Sequence, residues 1–520
     1  MRKRDPLFAP PLPLHLPLLA LYLPLLTCVA QLPFEPPTAA VRVAFAILAV
    51  ALGLFAALTA LNRNLRASAL AVSILLLVFS AGGWLQGAPM AVGLAAWPVS
   101  GVLAALTACS KRSFITATRG ANLFLAVFVL PFVAAVVWIE ARPDAPTVNH
   151  RYGGPPMPPR TPAVASAPDT RPDIYVFVVD GYARADVLRS IYGYDDPLVT
   201  DLQHRGFFVA PRGFANYAQT ALSLASSLNL EYLPALLENV SSDQVSRRAC
   251  ARLIHDSLAF RLLRSAGYRL VTFASEYGVI KIEGAARRYR WPLHPTEFDY
   301  ALHDVSGLPA LAQTLGLPPA WLPHNLRCAD LNWTLGHLSG PIVSRGDPPT
   351  VVFAHLLLPH PPFTFLPDGR YSWTRMPANT WDGEQWRDRS AGSGETYQGG
   401  YLRNMAYLRP RLLRAVDAVL ARGGRRSIIL IHADHGPGSR LDWSDPRASD
   451  LRERMGILLA ARFPDGNPAS VGAPQSPVNA MRLLVAEALG LDLPRLDDRA
   501  WFSTWSRPYE FADVTERVER

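Results

Sequence analysis

At 520 residues, with half of them in the apolar AVILMFWYC set and 18% charged, and with a mean hydropathy of +0.12, the chain is too apolar for one ordinary soluble enzyme. Its formal charge of +9 would suit a polyanion-binding protein only if it were gathered in one domain, and it is not. Residues 1–140 hold nine Lys/Arg against three acids, which is +6 of that total, spread between apolar runs. A nucleic-acid partner is therefore not expected.

Five apolar stretches fill the first 140 residues, at about 14–32, 41–61, 68–86, 89–109 and 121–139. Each approaches the roughly 20 residues a helix needs to cross hydrocarbon, so an all-α bundle of five transmembrane helices is predicted. Arg2, Lys3 and Arg4, then Arg63 and Arg66, then Lys111, Arg112 and Arg119 fall on one side, while loops 33–40 and 87–89 carry no Lys or Arg. The cation-rich side is cytoplasmic, which places the N-terminus inside and everything after the fifth span outside. A basic start followed by an apolar run also fits a signal peptide, but no small-residue cleavage site follows and its removal would spoil the charge alternation. No buried acid or base of the kind that marks an ion path is expected within the spans.

Residues 141–172 contain nine prolines and read as a stiff, extended linker. From 173 to 520 the pattern is that of an α/β domain with a largely parallel central sheet. Its candidate strands are Ile174 to Val179, Leu270 to Ala274, Val351 to Leu358, Ile428 to His432 and Met455 to Ala461. A long amphipathic helix is predicted from Leu402 to Arg422, stopped by Gly423-Gly424. Cys250 and Cys328 either pair as one disulfide or remain two buried thiols.

Reactive groups in such sheets collect past the carboxyl ends of strands. The first strand ends in Asp180-Gly181, and the strand at 428–432 runs into Ala433-Asp434-His435-Gly436. A carboxylate beside an imidazole, with a glycine to turn the backbone, can bring both to one ion; a turn acid with a capping histidine would look the same. Thr220 sits where a helix N-cap would, and there the dipole and free N–H groups favour an alkoxide or a phosphate. An ordinary cap with Ser223 as its third-position partner is the other reading. His360 stands in a proline-fixed turn after the apolar strand, which favours a site role, whereas His355 within that strand reads either as a site contact or as a satisfied core histidine. Arg287-Arg288-Tyr289-Arg290 reads as a solvated face or a lip for an anionic substrate. Trp373, Trp381 and Trp386 mark a loop over the site or a membrane-facing lip.

The order Asp180-Gly181, a hydroxyl at a helix start, Pro359-His360-Pro361-Pro362-Phe363 and Asp434-His435-Gly436 resembles the sulfatase branch of the alkaline phosphatase superfamily. Five spans ahead of it resemble, more closely, lipoteichoic acid synthases and phosphoethanolamine transferases. The resemblance implies one divalent ion held by Asp180, the nucleophile Thr220, Asp434 and His435. It also implies that His360, with His355 as a further candidate, contacts the substrate or a second metal. The stretch Thr220-Ala221-Leu222-Ser223-Leu224 lacks the Pro and Arg of a formylglycine motif, which points to phosphoesters rather than sulfate esters. Imidazole with carboxylates suits Zn²⁺ or Mn²⁺, with Mg²⁺ also open. The expected function is transfer or hydrolysis of a phospho-substituent at the outer face of the cytoplasmic membrane, from a lipid donor to an envelope glycan or lipid acceptor. The alternatives are a hydrolase of a soluble sulfate or phosphate ester and a catalytically silent scaffold or sensor of the same fold.

Overall fold

The computed structural model describes residues 11–31, 38–82, 90–141, 171–342, 348–378, 381–391, 393–422, 426–464 and 474–519. The basic cluster at 2–4, loops 33–37 and 87–89, most of the proline-rich linker and Gly423-Gly424 lie outside these residues. The chain forms two compact units: the first comprises Met1–Ala145, Glu297–Pro323 and Pro377–Asn379, and the second the remainder.

In the first unit the five predicted segments are five helices: α1 (His15–Gln31), α2 (Thr38–Asn62), α3 (Leu65–Ser80), α4 (Met90–Ala108) and α5 (Ile115–Ala141). Two stretches, Ala40–Asn62 and Ile115–Val137, are long and apolar enough by length and composition to cross a membrane; the other three helices offer shorter apolar runs. Both long helices turn large apolar side chains outward, among them Phe45 on α2 and Leu123 and Phe124 on α5. Side chains join the α2–α3 and α4–α5 connections: Asn62 donates to Ala108 O and Asn64 to Ser110 O and Arg112 O. Arg63, Arg66, Lys111 and Arg112 therefore gather at one end of this unit.

The second unit is built on a seven-stranded sheet of order β2-β7-β6-β1-β5-β3-β4. Its strands are β1 (Asp173–Val179), β2 (Phe208–Val209), β3 (Arg269–Phe273), β4 (Arg287–Tyr289), β5 (Thr350–Leu356), β6 (Ser427–His432) and β7 (Leu459–Arg462). β1 runs parallel to both β5 and β6, β3 is parallel to β4 and β5, and β7 is antiparallel to β2 and β6. Every residue of β1 and β5 is buried, which is why their apolar runs are continuous rather than alternating. The predicted strand at 455–461 is displaced. Asp450 caps a short helix, Leu451–Met455, by accepting from Glu453 N–H, and the chain becomes extended only after Gly456. The helix predicted from Leu402 starts earlier, as α7 (Tyr397–Leu420), capped by Thr396. Ahead of it, α6 (Thr220–Leu228) packs its apolar residues into the core cluster that contains Ile174, Val176 and Val178 of β1. Arg287, Arg288 and Tyr289 form the edge strand β4, where the Arg287 guanidinium lies 4.4 Å over the Tyr289 ring. Cys250 and Cys328 are free, buried thiols.

Candidate active site

The site follows from the sheet register. β1 is central, and the parallel ladders set Val178 level with His355 on one side and with His432 on the other. Two residues further on, Asp180 leaves β1 level with Asp434 leaving β6, so two carboxylates meet at the carboxyl edge of three adjacent strands. Gly181 takes a left-handed φ of 77°, and the segment after β5 folds back so that His360 N–H donates to Asp180 O at 3.1 Å. A Cβ on Gly436 would lie 2.2 Å from the Glu453 carbonyl oxygen. Gly436→Ala is therefore expected to force the two segments apart at a cost of about 3 kcal/mol, read as a fall in Tm.

All six residues singled out in the sequence come together here. Ligand-capable atoms of Asp180, His355 and Asp434 lie within 4.8 Å of one another, as do those of Asp180, His360 and His435. His435 Nε2 is 3.4 Å from Asp180 Oδ1 and 3.4 Å from Asp434 Oδ2, and His355 Nε2 is 3.5 Å from Asp180 Oδ2. Thr220 Oγ1 lies 3.0 Å from His435 Nε2. Thr220 is the first residue of α6 rather than its cap. Gln219 holds the cap position, and its side chain is engaged with Ser503, Thr504 and Arg247. Ser223 Oγ is buried without a hydrogen-bond partner and so makes no capping bond.

Carbonyl oxygens fix two tautomers. His435 Nδ1 is 2.9 Å from Gly436 O and His360 Nδ1 is 2.7 Å from Pro361 O. A carbonyl only accepts, so each Nδ1 carries the proton and each Nε2 turns a lone pair to the site. His355 Nδ1 is 3.0 Å from Ser275 Oγ, which anchors that ring from behind.

Burial, and then the charge of Asp434, push the Asp180 carboxyl well above its ordinary range. Burial also opposes ionisation of Asp434, but His435, His355 and Arg454 outweigh it and hold that carboxyl down to about 2. Burial pulls His435 down to about 3, with Arg454 adding to the effect, and His355 down to about 4. Both rings are thus neutral near pH 7.

Two buried residues escaped the sequence reading. Asp382 receives Arg454 Nη1 at 2.8 Å and the Tyr397 hydroxyl at 2.7 Å, and its Oδ2 is 4.0 Å from His360 Nε2. Arg454 also donates to Gly436 O and Ala218 O, both at 2.9 Å. The stretch around Trp381 thus does reach the site, through Asp382, while Trp386 is buried against Phe363 and Tyr397 and Trp373 faces outward. His432 is buried with Nδ1 at 3.0 Å from Ala433 O, behind the site.

The donor set fits a divalent cation. Asp180, Asp434 and Asp382 set three buried carboxyls against one guanidinium, Arg454; with all three ionised the excess is about two negative charges, costly to bury unpaired. Asp180 Oδ1, both Asp434 carboxylate oxygens and His355 Nε2 are buried without a geometrically sound hydrogen bond, facing chiefly one another and His435 Nε2 at 3.4–3.5 Å. Acceptor atoms so arranged are what a cation satisfies.

No family model matches the chain, and no curated protein does. Among solved structures it is similar to the integral membrane protein lipooligosaccharide phosphoethanolamine transferase A from Neisseria meningitidis, at 13% identity, covering 93% of this chain and 95% of that one with a TM-score of 0.40. The C-terminal periplasmic domain of EcEptC from Escherichia coli, in complex with Zn, is 12% identical over 68% of this chain and 96% of that one, with a TM-score of 0.39. The phosphonate monoester hydrolase of Agrobacterium radiobacter is 14% identical over 64% and 80%, with a TM-score of 0.41. The neighbours are phosphoethanolamine transferases, sulfatases and a phosphonate hydrolase.

Proposed function

We propose that this chain is a membrane-anchored, metal-dependent enzyme that transfers a phospho-substituent, of phosphoethanolamine or phosphoglycerol type, or hydrolyses a phosphodiester, through a covalent intermediate on Thr220. The observation that carries the reading is the Thr220 hydroxyl in the first turn of α6, 3.0 Å from a neutral His435 Nε2 and beside the buried carboxylates of Asp180 and Asp434. A hydroxyl so placed is an activated nucleophile facing an anion-accepting helix end.

Asp180, Asp434 and His435, with Thr220, would hold one divalent ion, and His355 stands within reach of the two carboxylates as a further ligand. Zn²⁺ or Mn²⁺ suits this mixed set, with Mg²⁺ also open. Such an ion, when bound, neutralises charge on the phosphoryl oxygens and lowers the pKa of the Thr220 hydroxyl. Thr220 Oγ1 gives up its proton to solvent and forms the bond to phosphorus as the bond to the leaving oxygen breaks, and it regains a proton when the intermediate is cleaved. His360 presents Nε2 toward the site. Protonated, it gives a proton to the leaving oxygen; neutral again, it takes one from the acceptor hydroxyl or water that attacks the phospho-threonine. Asp382, 4.0 Å from that nitrogen, stabilises the ring in its charged form, before the first half-reaction and after the second.

Loading should tighten as the pH rises. His435 and His355 hold no proton near neutrality, whereas Asp180, with its raised pKa, must lose one before a cation binds. Titration of the metal-free chain with Zn²⁺ in buffers of different ionisation heat is expected to show proton release on binding, and less of it from Asp180→Asn.

The five apolar helices and the cation-rich connections at 63–66 and 111–112 support a multi-pass anchor in the cytoplasmic membrane with the catalytic unit outside. That placement suits a lipid donor and an envelope glycan or lipid acceptor. Rates on matched esters separate this reading from a sulfatase: turnover of phosphodiester with negligible turnover of sulfate ester supports it, and a preference for sulfate overturns it.

A further inference from the structure

The sequence places residues 297–323 in the middle of the exported domain, yet the segment belongs to the first compact unit, with the apolar helices. It is made of two short helices, Glu297–Val305 and Leu308–Thr314, a turn, and the first residues of a longer helix, Trp321–Leu338, that continues into the second unit. Phe298 and Leu302 are buried in one apolar cluster with Leu23 and Cys28 of α1 and Ala40 of α2, against which Phe79 of α3 and Val136 of α5 also pack. Gly307 N–H donates to Phe79 O at 2.6 Å, Trp97 Nε1 to Gly307 O at 2.8 Å and Thr314 Oγ1 to Leu94 O at 3.3 Å. Arg42 of α2 pairs with Asp299.

These contacts share one end of the unit: the last turns of α1, α3 and α5 and the first turns of α2 and α4. The opposite end carries Arg63, Arg66, Lys111 and Arg112. The segment itself contains Glu297, Asp299 and Asp304 and no Lys or Arg, the composition of a non-cytoplasmic stretch. Having buried Phe298 and Leu302 against the helices, it still turns Leu315, 65% exposed, Leu322 and Val305 outward. The helices it rests on likewise turn apolar residues outward near the same end, Val92 near the start of α4 and Val41 and Phe45 of α2.

We infer that residues 297–323 lie in the outer interface of the bilayer, with Val305, Leu315 and Leu322 in contact with lipid. The packing of the segment among the apolar helices, with apolar side chains turned outward on both, names lipid as the occupant. Amphipathic helices at an interface bury their apolar face at the boundary between headgroups and acyl chains. The catalytic chain thereby acquires a membrane attachment separate from its proline-rich linker: it leaves the second unit at Thr296, enters the interface and returns at His324. The inference rests on the membrane reading of the first unit and is independent of the chemistry at Thr220.

The test uses the full chain in nanodiscs of phosphatidylcholine and phosphatidylglycerol. Cys109, the exposed thiol of the four, is first changed to Ser. An environment-sensitive fluorophore is then attached to Leu315→Cys, to Leu322→Cys or to Phe45→Cys as the marker of the lipid-facing helix. The expected result at 315 and 322 is a blue-shifted emission, quenched by doxyl-labelled phosphatidylcholine and several-fold less by aqueous iodide than the free dye. Water-like emission quenched by iodide and not by doxyl lipid, with Phe45→Cys behaving as lipid-exposed, overturns the inference alone. Shielding from both quenchers also overturns it, since protein would then cover this face. If the label at 45 also reports water, the membrane reading itself falls.

Discussion

Thr220→Ala is expected to reduce phosphodiester turnover by at least ~10³-fold in kcat, with KM little changed, because the substitution removes the attacking atom and leaves the binding groups in place. The folded state should tolerate it. Thr220 begins α6 without capping it, and its hydroxyl is engaged with His435 rather than with backbone. Thr220→Ser restores a hydroxyl at the same helix position and should recover part of the rate, which a merely structural role for Thr220 would not require. Steady-state kinetics of the three proteins on a chromogenic phosphodiester check this, and undiminished turnover by Thr220→Ala contradicts it.

Asp434→Asn should act in opposite directions on the metal-free and metal-loaded chain. In the metal-free chain, burial and the charge of Asp434 raise the Asp180 pKa above its unfolded value. The stability contributed by that group is therefore full below the ordinary carboxylate pKa and is lost as pH rises through the folded one. Removing the charge of Asp434 relieves this, so the metal-free variant should be more stable than the metal-free parent at neutral pH. With Zn²⁺ or Mn²⁺ the order reverses. The parent gains about 4 kcal/mol at a thousandfold excess of ion over Kd, and the variant, having lost ligand oxygens, should bind at least ~100-fold more weakly. Thermal shifts with and without ion check both signs. A parent chain that binds no divalent ion and shows no shift would favour the catalytically silent scaffold.

How much of this was legible in the sequence depended on whether a residue's neighbours lay along the chain or across it. Asp180, Asp434 and His435 stand just past apolar strands and beside glycines, a local pattern that register then turns into proximity. His355 was undecided from sequence because an apolar strand hides which neighbour a side chain faces. The ladder from Val178 to His355 settles its place beside Asp180. Asp382 and Arg454 had no such signature. One comes from an irregular loop and the other from a five-residue helix next to the apolar run at 455–461 that reads as strand, and their meeting at 2.8 Å is purely tertiary. The strands β2 and β4, of two and three residues, are too short for any alternation to register. The membership of residues 297–323 in the first unit was likewise invisible, because an amphipathic helix has the same periodicity whether it covers a sheet or a bundle of apolar helices.

The proposed chemistry turns on a covalent phospho-intermediate on Thr220. Its most direct test is intact-mass and peptide mass spectrometry of the full chain, quenched with acid shortly after mixing with a phosphodiester donor. The account predicts a mass increment equal to the transferred phospho-group, confined to the peptide that contains Thr220 and absent from Thr220→Ala; turnover with no adduct on Thr220, or with an adduct on another residue, would contradict it.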